Sequence, residues 1–206
     1  MEEDLLIVGL GNPGPEYATT RHNLGALCVQ ELGRRLRTPI DRKRWKSVVG
    51  STLISPGLPG AGERRVWLLL PQTMMNLSGR AVSEALRDVG SSTASVWAVY
   101  DELDLPLCRL RIRVGGSAAG HNGVRSLIAS LGTDAFVRFR IGVGKPPTAR
   151  AGAGYVLGKF SKTEAASVPA VVAGVASALQ EALASGVERA MDLYNRSGSL
   201  GCEEIA

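Results

Sequence analysis

Two histidines are the side chains of this sequence best suited to moving a proton near neutral pH, and the chain has no others. His22 lies in TTRHNLG and His121 in GHNGV, so an asparagine follows each of them. A neutral imidazole can take a proton from water, and the activated oxygen can then attack a carbonyl carbon. No serine occupies a GxSxG turn and no cysteine lies in a recognisable nucleophile motif. Activated water is therefore the simplest nucleophile for this chain.

Three further polar residues follow predicted strands. Asn12, Asn76 and Asp101 come after the first, second and third apolar segments of the chain. If these strands are parallel, their carboxyl ends meet at one edge of a sheet and bring the three side chains together near His22. A carboxylate such as Asp101 can hold one imidazole nitrogen, and asparagine amides can hold a carbonyl oxygen. Asn122, in GGSAAGHNG before another predicted helix, belongs to the same candidate site.

Apolar runs and helical periodicity indicate the elements that must position these residues. Predicted strands occupy residues 5–8, 66–70, 96–100, 109–114 and 136–143, and predicted helices occupy residues 22–36, 78–89, 122–131 and 187–194. A capping box at residues 161–164 opens another helix, which Pro169 is expected to kink or divide. This alternation predicts one mixed-sheet α/β domain over residues 1–195, with a flexible tail at 196–206 and a mobile loop at 145–154.

Composition narrows the class of protein and of partner. The 206 residues are 45% hydrophobic and carry a formal net charge of +5, which favours a folded protein with an anionic partner. Arg109, Arg111 and Arg113 share one face of a predicted strand, which either faces water or follows phosphates. The three cysteines are far apart, so we expect neither a disulfide framework nor a zinc site. With no signal peptide and no apolar run long enough to span a bilayer, we expect a reduced, cytoplasmic, soluble protein.

Each candidate residue also has a structural interpretation. A lone histidine near a helix start, such as His22, is often a capping residue, and His121 before Asn-Gly fits a turn. Asn12 between glycine and proline can serve a tight turn, and Asp101 can cap a helix or begin a turn. Met74 is the kind of residue that fills a core. The convergence at the strand ends therefore favours a site more than any single residue does.

The GLGNPG segment suggests a rival function, because it matches the GxGxxG pattern of dinucleotide-binding proteins directly after a strand. In that motif the third glycine opens a helix, yet prolines flank Gly14 and the helical pattern begins several residues later. The acidic residue expected at the end of a second strand is also missing, since Glu31 lies within a helical run. The context argues against a dinucleotide site.

Taken together, the motifs resemble one family. GLGNPGPEY, TRHNLG, MNLSG, DELDLP and GGSAAGHNG occur in the order and spacing of the bacterial-type peptidyl-tRNA hydrolases. The resemblance implies a single α/β domain with a central mixed, mostly parallel β-sheet surrounded by α-helices. It implies hydrolysis of the ester between a peptide and the 3′-terminal ribose of tRNA, which recycles tRNA dropped from the ribosome. It further implies no cofactor, no metal, no membrane, no obligate protein partner and a monomer.

The resemblance also implies roles for particular residues. His22 is the catalytic base, Asp101 keeps it in its basic form, and Asn12 helps to discriminate blocked from free aminoacyl groups. Substrate or tRNA contacts are implied for Tyr17, Met74, Asn76, Asn122, Arg111, Arg113, Arg138 and Arg140. The family position of Met74 is often phenylalanine, and GGSAAG is often richer in glycine, so stacking and loop flexibility differ here.

A third hypothesis is an RNA-binding relative that has lost catalysis while keeping the fold and the basic surface. The presence of His22, Asp101 and the three asparagines together favours the enzyme. Loss of turnover in His22→Ala with retained tRNA affinity separates the two hypotheses.

Overall fold

The computed structural model describes residues 2–55, 57, 62–146, 148, 152–196 and 198–204. Its strands are β1 (Leu5–Gly9), β2 (Arg42–Arg44), β3 (Ser47–Ile54), β4 (Arg64–Pro71), β5 (Val96–Glu102), β6 (Leu110–Val114) and β7 (Val137–Gly142). Its α-helices are α1 (Leu24–Arg35), α2 (Ser78–Val89), α3 (Asn122–Leu131), α4 (Gly152–Leu157), α5 (Lys162–Ser185) and α6 (Val187–Tyr194). Short 3₁₀ turns lie at Arg21–Asn23, Met75–Leu77 and Thr93–Ser95.

A seven-stranded sheet in the order β2-β3-β4-β1-β5-β7-β6 forms the centre of the fold. The neighbours β4, β1, β5 and β7 run parallel, whereas β2, β3 and β4 pair antiparallel, as do β6 and β7. The predicted mixed sheet in an α/β domain is confirmed. The parallel character belongs to the four central strands, and the added strands at both edges are antiparallel.

Strand β1 explains how the sheet is stabilised. Its residues LLIVG are all buried, with Leu5 and Ile7 in one apolar cluster and Leu6 and Val8 in the other. Continuous apolar sequence is typical of a parallel strand covered by helices on both faces. Helices α1 and α5 belong to the first cluster, and α2 and α3 contribute to the second.

Edge strand β6 follows the predicted alternation except at its end. Leu110 and Ile112 are buried while Arg111 and Arg113 are exposed. Val114, expected on the buried face, is instead 57% exposed. It is the last residue of the edge strand β6.

Helix α5 departs from two expectations. Its capping box of Ser161 and Glu164 is confirmed, but Pro169 lies inside one continuous helix and does not divide it. The helix is also long and apolar enough to cross a membrane by length and composition alone, contrary to the expectation that no such run exists. Its valines and leucines, among them Val175 and Leu179, lie in the core cluster that includes α1, which accounts for its apolar sequence.

The carboxyl-terminal segment extends the packed domain beyond the predicted boundary at 195. Leu200 is 4% exposed and packs against Gly174 of α5. Cys202 is bonded to the buried Cys108 in a disulfide, with a Cα–Cα separation of 5.7 Å, which corrects the expectation of no disulfide. The two cysteines are 94 residues apart in the chain, so spacing in the sequence could not reveal the pair.

The predicted mobile loop at 145–154 lies partly outside the described residues, since 147 and 149–151 are not among them. Residues 152–154 begin α4 instead of continuing a loop. Glycine and alanine dominate this short helix, so its sequence carries little periodic signal.

Candidate active site

Three parallel strands deliver the candidate residues to one edge of the sheet. Asp101 is the second-last residue of β5 and is 2% exposed. The 3₁₀ turn with His22 leads into α1, which crosses directly over β5 at Gly25, where any side chain would collide with the carbonyl oxygen of Val99. This close approach brings the imidazole of His22 against the Asp101 carboxylate.

His22 uses one ring nitrogen for this carboxylate, and among the described residues its other ring nitrogen has no hydrogen-bond partner. Its Nδ1 lies 2.9 Å from Oδ1 and 3.1 Å from Oδ2 of Asp101. A nitrogen facing an ionised carboxylate carries the proton, so Nδ1–H donates and Nε2 keeps its lone pair. The His22 imidazole lines two adjoining cavities, where this lone pair is available to a water molecule. A general base has the same requirements.

His121 also contacts this carboxylate, a contact that the sequence analysis did not predict. Its Nε2 lies 3.0 Å from Oδ1 of Asp101. Its Nδ1 accepts the main-chain N–H groups of Gly123 and Val124 at 3.1 and 3.2 Å, which caps α3. Because Nδ1 accepts, Nε2 must carry the proton and donate it to Asp101. With both ring nitrogens bonded, His121 has no nitrogen left to take a proton from water.

The two N–H donors determine the charge of Asp101. Burial alone raises the pKa of a carboxyl group, but the neighbouring His121 and His22 outweigh it and hold the pKa of Asp101 below its usual range. The carboxylate therefore stays ionised at neutral pH. An ionised Asp101 fixes the tautomer of His22 and can stabilise its imidazolium.

His22, Asp101 and His121 also place potential metal ligands within 4.8 Å of one another. A ligating imidazole nitrogen must be free of its proton. The Nδ1 of His121 accepts hydrogen bonds from two main-chain N–H groups at the start of α3, so the ring proton lies on Nε2, which donates it to Asp101. This tautomer fits a hydrogen-bonded triad and does not fit a metal centre.

Two asparagines present amide donors to the cleft. The Oδ1 of Asn12 accepts the Met75 N–H at 2.7 Å, and the Oδ1 of Asn122 accepts from Arg125 Nη1 at 3.1 Å. Both oxygens accept a hydrogen bond, and the NH₂ groups, which have no partner among the described residues, remain for a ligand. Such donors suit a carbonyl oxygen and the oxyanion that forms from it. Asn76 lies in the same lining and is exposed.

Two cavities meet at His22. One, of about 260 Å³, is lined by Asp101, Glu102 and His121, and the other, of about 410 Å³, by Asn12, Met74 and Asn76. Asn122 and the α4 residues Ala153 and Val156 line both of them. A centre between two cavities suits a substrate with a bulky group on each side of the reacting bond.

Of the remaining predicted contact residues, Tyr17 and Arg113 lie outside these two cavities, and Met74 lies at the rim of the second one. Tyr17 is partly exposed in the turn before His22, and Arg113 is exposed on β6, while Met74 forms the cleft rim at 44% exposure. Two other arginines are not free to meet phosphates. Arg138 is 1% exposed and donates to the carbonyl oxygen of Ser117 at 2.7 Å.

Arg140 is the second of these arginines, because it forms an ion pair with Glu102 at 2.8 Å. Both expectations of phosphate contact are therefore corrected, because the guanidinium group of Arg138 is buried and that of Arg140 is paired with Glu102.

The sequence analysis also missed Arg125 and α4, which lie at the site. Arg125 follows Asn122 by three residues on a helix, a spacing that places two side chains together and could have been noticed.

The glycine loop does not have the geometry of a dinucleotide site. Helix α1 begins at Leu24, ten positions after Gly14, and a 3₁₀ turn precedes it. The N–H of Asn12 donates to Asn23 Oδ1, so this main-chain group is not free to meet a phosphate. The rival interpretation therefore loses its main structural requirement, a helix N-terminus at the third glycine.

An α/β domain with an imidazole–carboxylate pair and amide donors at the carboxyl edge of its sheet has the features of a hydrolase. The family model for Peptidyl-tRNA hydrolase matches residues 6–200. A relative named peptidyl-tRNA hydrolase from Geobacter metallireducens is 43% identical over 198 residues, which cover 95% of this chain and 96% of the relative. One from Synechococcus sp. is 45% identical over 191 residues, covering 92% of this chain and 82% of the relative.

A solved structure of a peptidyl-tRNA hydrolase is also similar to this chain. The crystal structure of peptidyl-tRNA hydrolase from Acinetobacter baumannii aligns with a TM-score of 0.83 and 31% identity, covering 100% of this chain and 98% of that one. The chain belongs to the peptidyl-tRNA hydrolase family.

Proposed function

We propose that this protein hydrolyses the ester between an N-blocked aminoacyl or peptidyl group and the 3′-terminal ribose of tRNA. The observation that carries the proposal is the His22 imidazole, whose Nδ1 is held by buried Asp101 in the lining of the cleft, so that Nε2 is the ring nitrogen left for the reaction. Membership of the family supports the substrate class. The two cavities at His22 give room for a peptide on one side of the ester and the ribose on the other.

The reaction follows from the tautomers. Nε2 of His22 takes a proton from water while the water oxygen bonds to the ester carbonyl carbon. The NH₂ groups of Asn12 and Asn122 donate to the resulting oxyanion or to the neighbouring carbonyl. The intermediate then collapses, the bond to the ribose oxygen breaks, and that oxygen recovers the proton from the His22 imidazolium. The products are a peptide carboxylate and tRNA with a free hydroxyl.

Asn12 is placed to discriminate blocked from free aminoacyl groups. Its oxygen is used by Met75 N–H, so its NH₂ group is the part left for the substrate. A blocked α-nitrogen carries a second carbonyl, which can accept from this donor. A free aminoacyl ester presents an ammonium there, which only donates, so a donor–donor encounter disfavours it.

The rest of the cleft and the adjoining strand supply binding. Met74 gives apolar contact at the rim, Asn76 and Tyr17 contact the substrate near the ester, and Arg113 contacts phosphate from β6. The exposure of Arg113 and the net charge of +5 support a partner of high negative charge. We place the enzyme in the cytoplasm, where tRNA is recycled, as a monomer that needs no cofactor, membrane or obligate protein partner.

Release of N-acetyl-aminoacyl groups from tRNA by wild type and His22→Ala tests the proposal, with unblocked aminoacyl-tRNA as the control substrate. We expect cleavage of the blocked substrate by wild type alone. Tight tRNA binding without cleavage by either protein would support the non-catalytic RNA-binding alternative instead.

A further inference from the structure

Asn23, which directly follows His22, is bonded to the main chain of Asn12 at both of its polar groups. Asn12 N–H donates to Asn23 Oδ1 at 2.9 Å, and Asn23 Nδ2 donates to the Asn12 carbonyl oxygen at 2.9 Å. Asn23 is 7% exposed. A buried amide with both partners satisfied holds its target in one orientation.

Asn23 lies behind Asn12 and away from the reacting group. It lines a small cavity of about 200 Å³ between the Asn12 loop and α1, and it lines neither cavity that contains His22. Asn12 lines both the rear cavity and the cleft. The side chain of Asn23 therefore does not face the substrate directly, and the group that it holds is the main chain of Asn12.

The loop that carries Asn12 is held at its start by main-chain hydrogen bonds of Leu10 with Val99 and Ala26. Residues 10–13 belong to no helix or strand, and in the described part of the chain the main-chain N–H and carbonyl of Asn12 are bonded to Asn23. The remaining hydrogen bond of Asn12 runs from Met75 N–H to its side-chain oxygen and selects which end of the amide faces the cleft. Asn23 thus fixes where Asn12 sits, and Met75 fixes which group it presents.

We propose that Asn23 is a positioning residue that sets the discrimination between blocked and free aminoacyl esters by holding the Asn12 main chain. The inference rests on the proposed function, in which Asn12 donates to the carbonyl of the blocked α-nitrogen. A displaced Asn12 loses this contact, while the proton transfer at His22 depends on Asp101 and continues.

The chain offers a matched control at another site. Asn195 makes the same two bonds to a main chain, accepting Ile112 N–H at 2.6 Å and donating to the Ile112 carbonyl at 3.0 Å. Ile112 lies on β6, which β5 and β7 separate from β1. Asn195→Asp therefore removes the same donor and adds the same charge as Asn23→Asp, but it does so at the edge of the sheet.

The test compares kcat/KM for N-acetyl-aminoacyl-tRNA and for the unblocked ester in wild type, Asn23→Asp and Asn195→Asp. Aspartate at position 23 still accepts a hydrogen bond from Asn12 N–H. Its second oxygen replaces the NH₂ donor, so the bond to the Asn12 carbonyl is lost and the two oxygens repel each other. We expect the ratio of the two kcat/KM values to fall about tenfold in Asn23→Asp, the worth of one hydrogen bond, and to stay unchanged in Asn195→Asp. Asn23→Ser, which adds no charge, should lower the ratio too and serves if the aspartate variant does not fold.

The pH profile of kcat/KM on the blocked substrate adds a second readout. We expect its acidic limb to be the same in Asn23→Ser as in wild type, since the His22–Asp101 pair is untouched. An equal loss on both substrates, with the ratio unchanged, would show that Asn23 only supports the fold, and an equal fall of the ratio in Asn195→Asp would show the same. If the wild-type protein cleaves neither ester, the proposed function itself is contradicted. If the wild-type protein discriminates between the esters and both Asn23 variants keep the same ratio of kcat/KM values, this inference alone is contradicted.

Discussion

His22 and His121 bond the same carboxylate oxygen of Asp101, at 2.9 and 3.0 Å, yet only one of them can act as a base. His22 bonds Asp101 through Nδ1, and its Nε2 remains for the substrate. His121 bonds Asp101 through Nε2, and its Nδ1 accepts the N–H groups at the start of α3. Their rings lie 4.8 Å apart between centroids, and both side chains are 8% exposed. Burial and distance therefore do not distinguish the two histidines. They differ in whether the second ring nitrogen has a hydrogen-bond partner.

The strongest test of this comparison removes the free nitrogen. His22→Ala should lower kcat by about 10²–10⁴-fold, the usual contribution of a general base, with the affinity for tRNA nearly unchanged. Single-turnover cleavage of N-acetyl-aminoacyl-tRNA and equilibrium binding of deacylated tRNA measure the two quantities. Turnover at the parental rate would reject His22 as the base.

Asp101→Asn should have the next largest effect, about 10²-fold on kcat, because an amide can donate to Nδ1 and so favour the wrong tautomer of His22. The substitution is nearly isosteric, so circular dichroism and tRNA affinity should match wild type. If kcat were unchanged, the carboxylate would have no part in holding the base.

Substitution of His121 should separate its two contacts. His121→Ala and His121→Asn both lose the donor to Asp101, and we expect a loss of about tenfold in kcat/KM from each. Asparagine is a good N-cap, so only the alanine variant should also lose about 1 kcal/mol of unfolding free energy. Urea titration alongside kinetics checks both statements. A loss as large as that of His22→Ala would mean that the tautomers are assigned the wrong way round.

Acid should weaken the fold through the carboxylate that the two histidines share. The pKa of Asp101 is lower in the folded protein than in the unfolded chain, so its contribution to stability is present above about pH 4 and is lost as pH falls below that value. The decline of the urea midpoint on acidification should therefore be shallower in Asp101→Asn than in wild type. Parallel declines would contradict the lowered pKa.

The smallest effect should come from Arg113, which lies outside the histidine pair. Arg113→Ala should leave kcat unchanged and reduce the slope of log affinity for tRNA against log salt by about 1. Arg34→Ala, at an arginine of α1 with a 73% exposed side chain, removes the same charge elsewhere and is the control. Equal slopes for wild type and Arg113→Ala would remove the phosphate contact from the proposal.

Regular, well-capped elements were predictable. The bounds of α2 and α3 match the predicted 78–89 and 122–131, because each has a strong apolar face and ends at a glycine with positive φ, Gly90 or Gly132. The missed elements lack such signals. Strand β2 is only Arg-Lys-Arg, and it forms because its main chain pairs with β3.

The carboxyl-terminal segment shows the same limit. Leu200 and Cys202 follow a polar, glycine-containing stretch, and only their partners Gly174 and Cys108 explain their packing. Local periodicity carries no information about contacts between residues so distant in the chain.

The chemical groups of the site could be read from the amino-acid sequence: two imidazoles, a carboxylate and two amides that follow predicted strands, and a third amide before a predicted helix. How these groups are used depends on contacts that form only in the folded chain. Asp101 lies 79 residues from His22 and 20 from His121, and it meets both because β1 and β5 are parallel neighbours and α3 starts beside them. The α3 terminus then occupies the second nitrogen of His121, whereas in the described part of the chain no group is bonded to the second nitrogen of His22. The tautomer of each histidine and the availability of its lone pair depend on partners that folding brings together. The two His-Asn segments look alike in the sequence, and only these contacts show which histidine can act as the base.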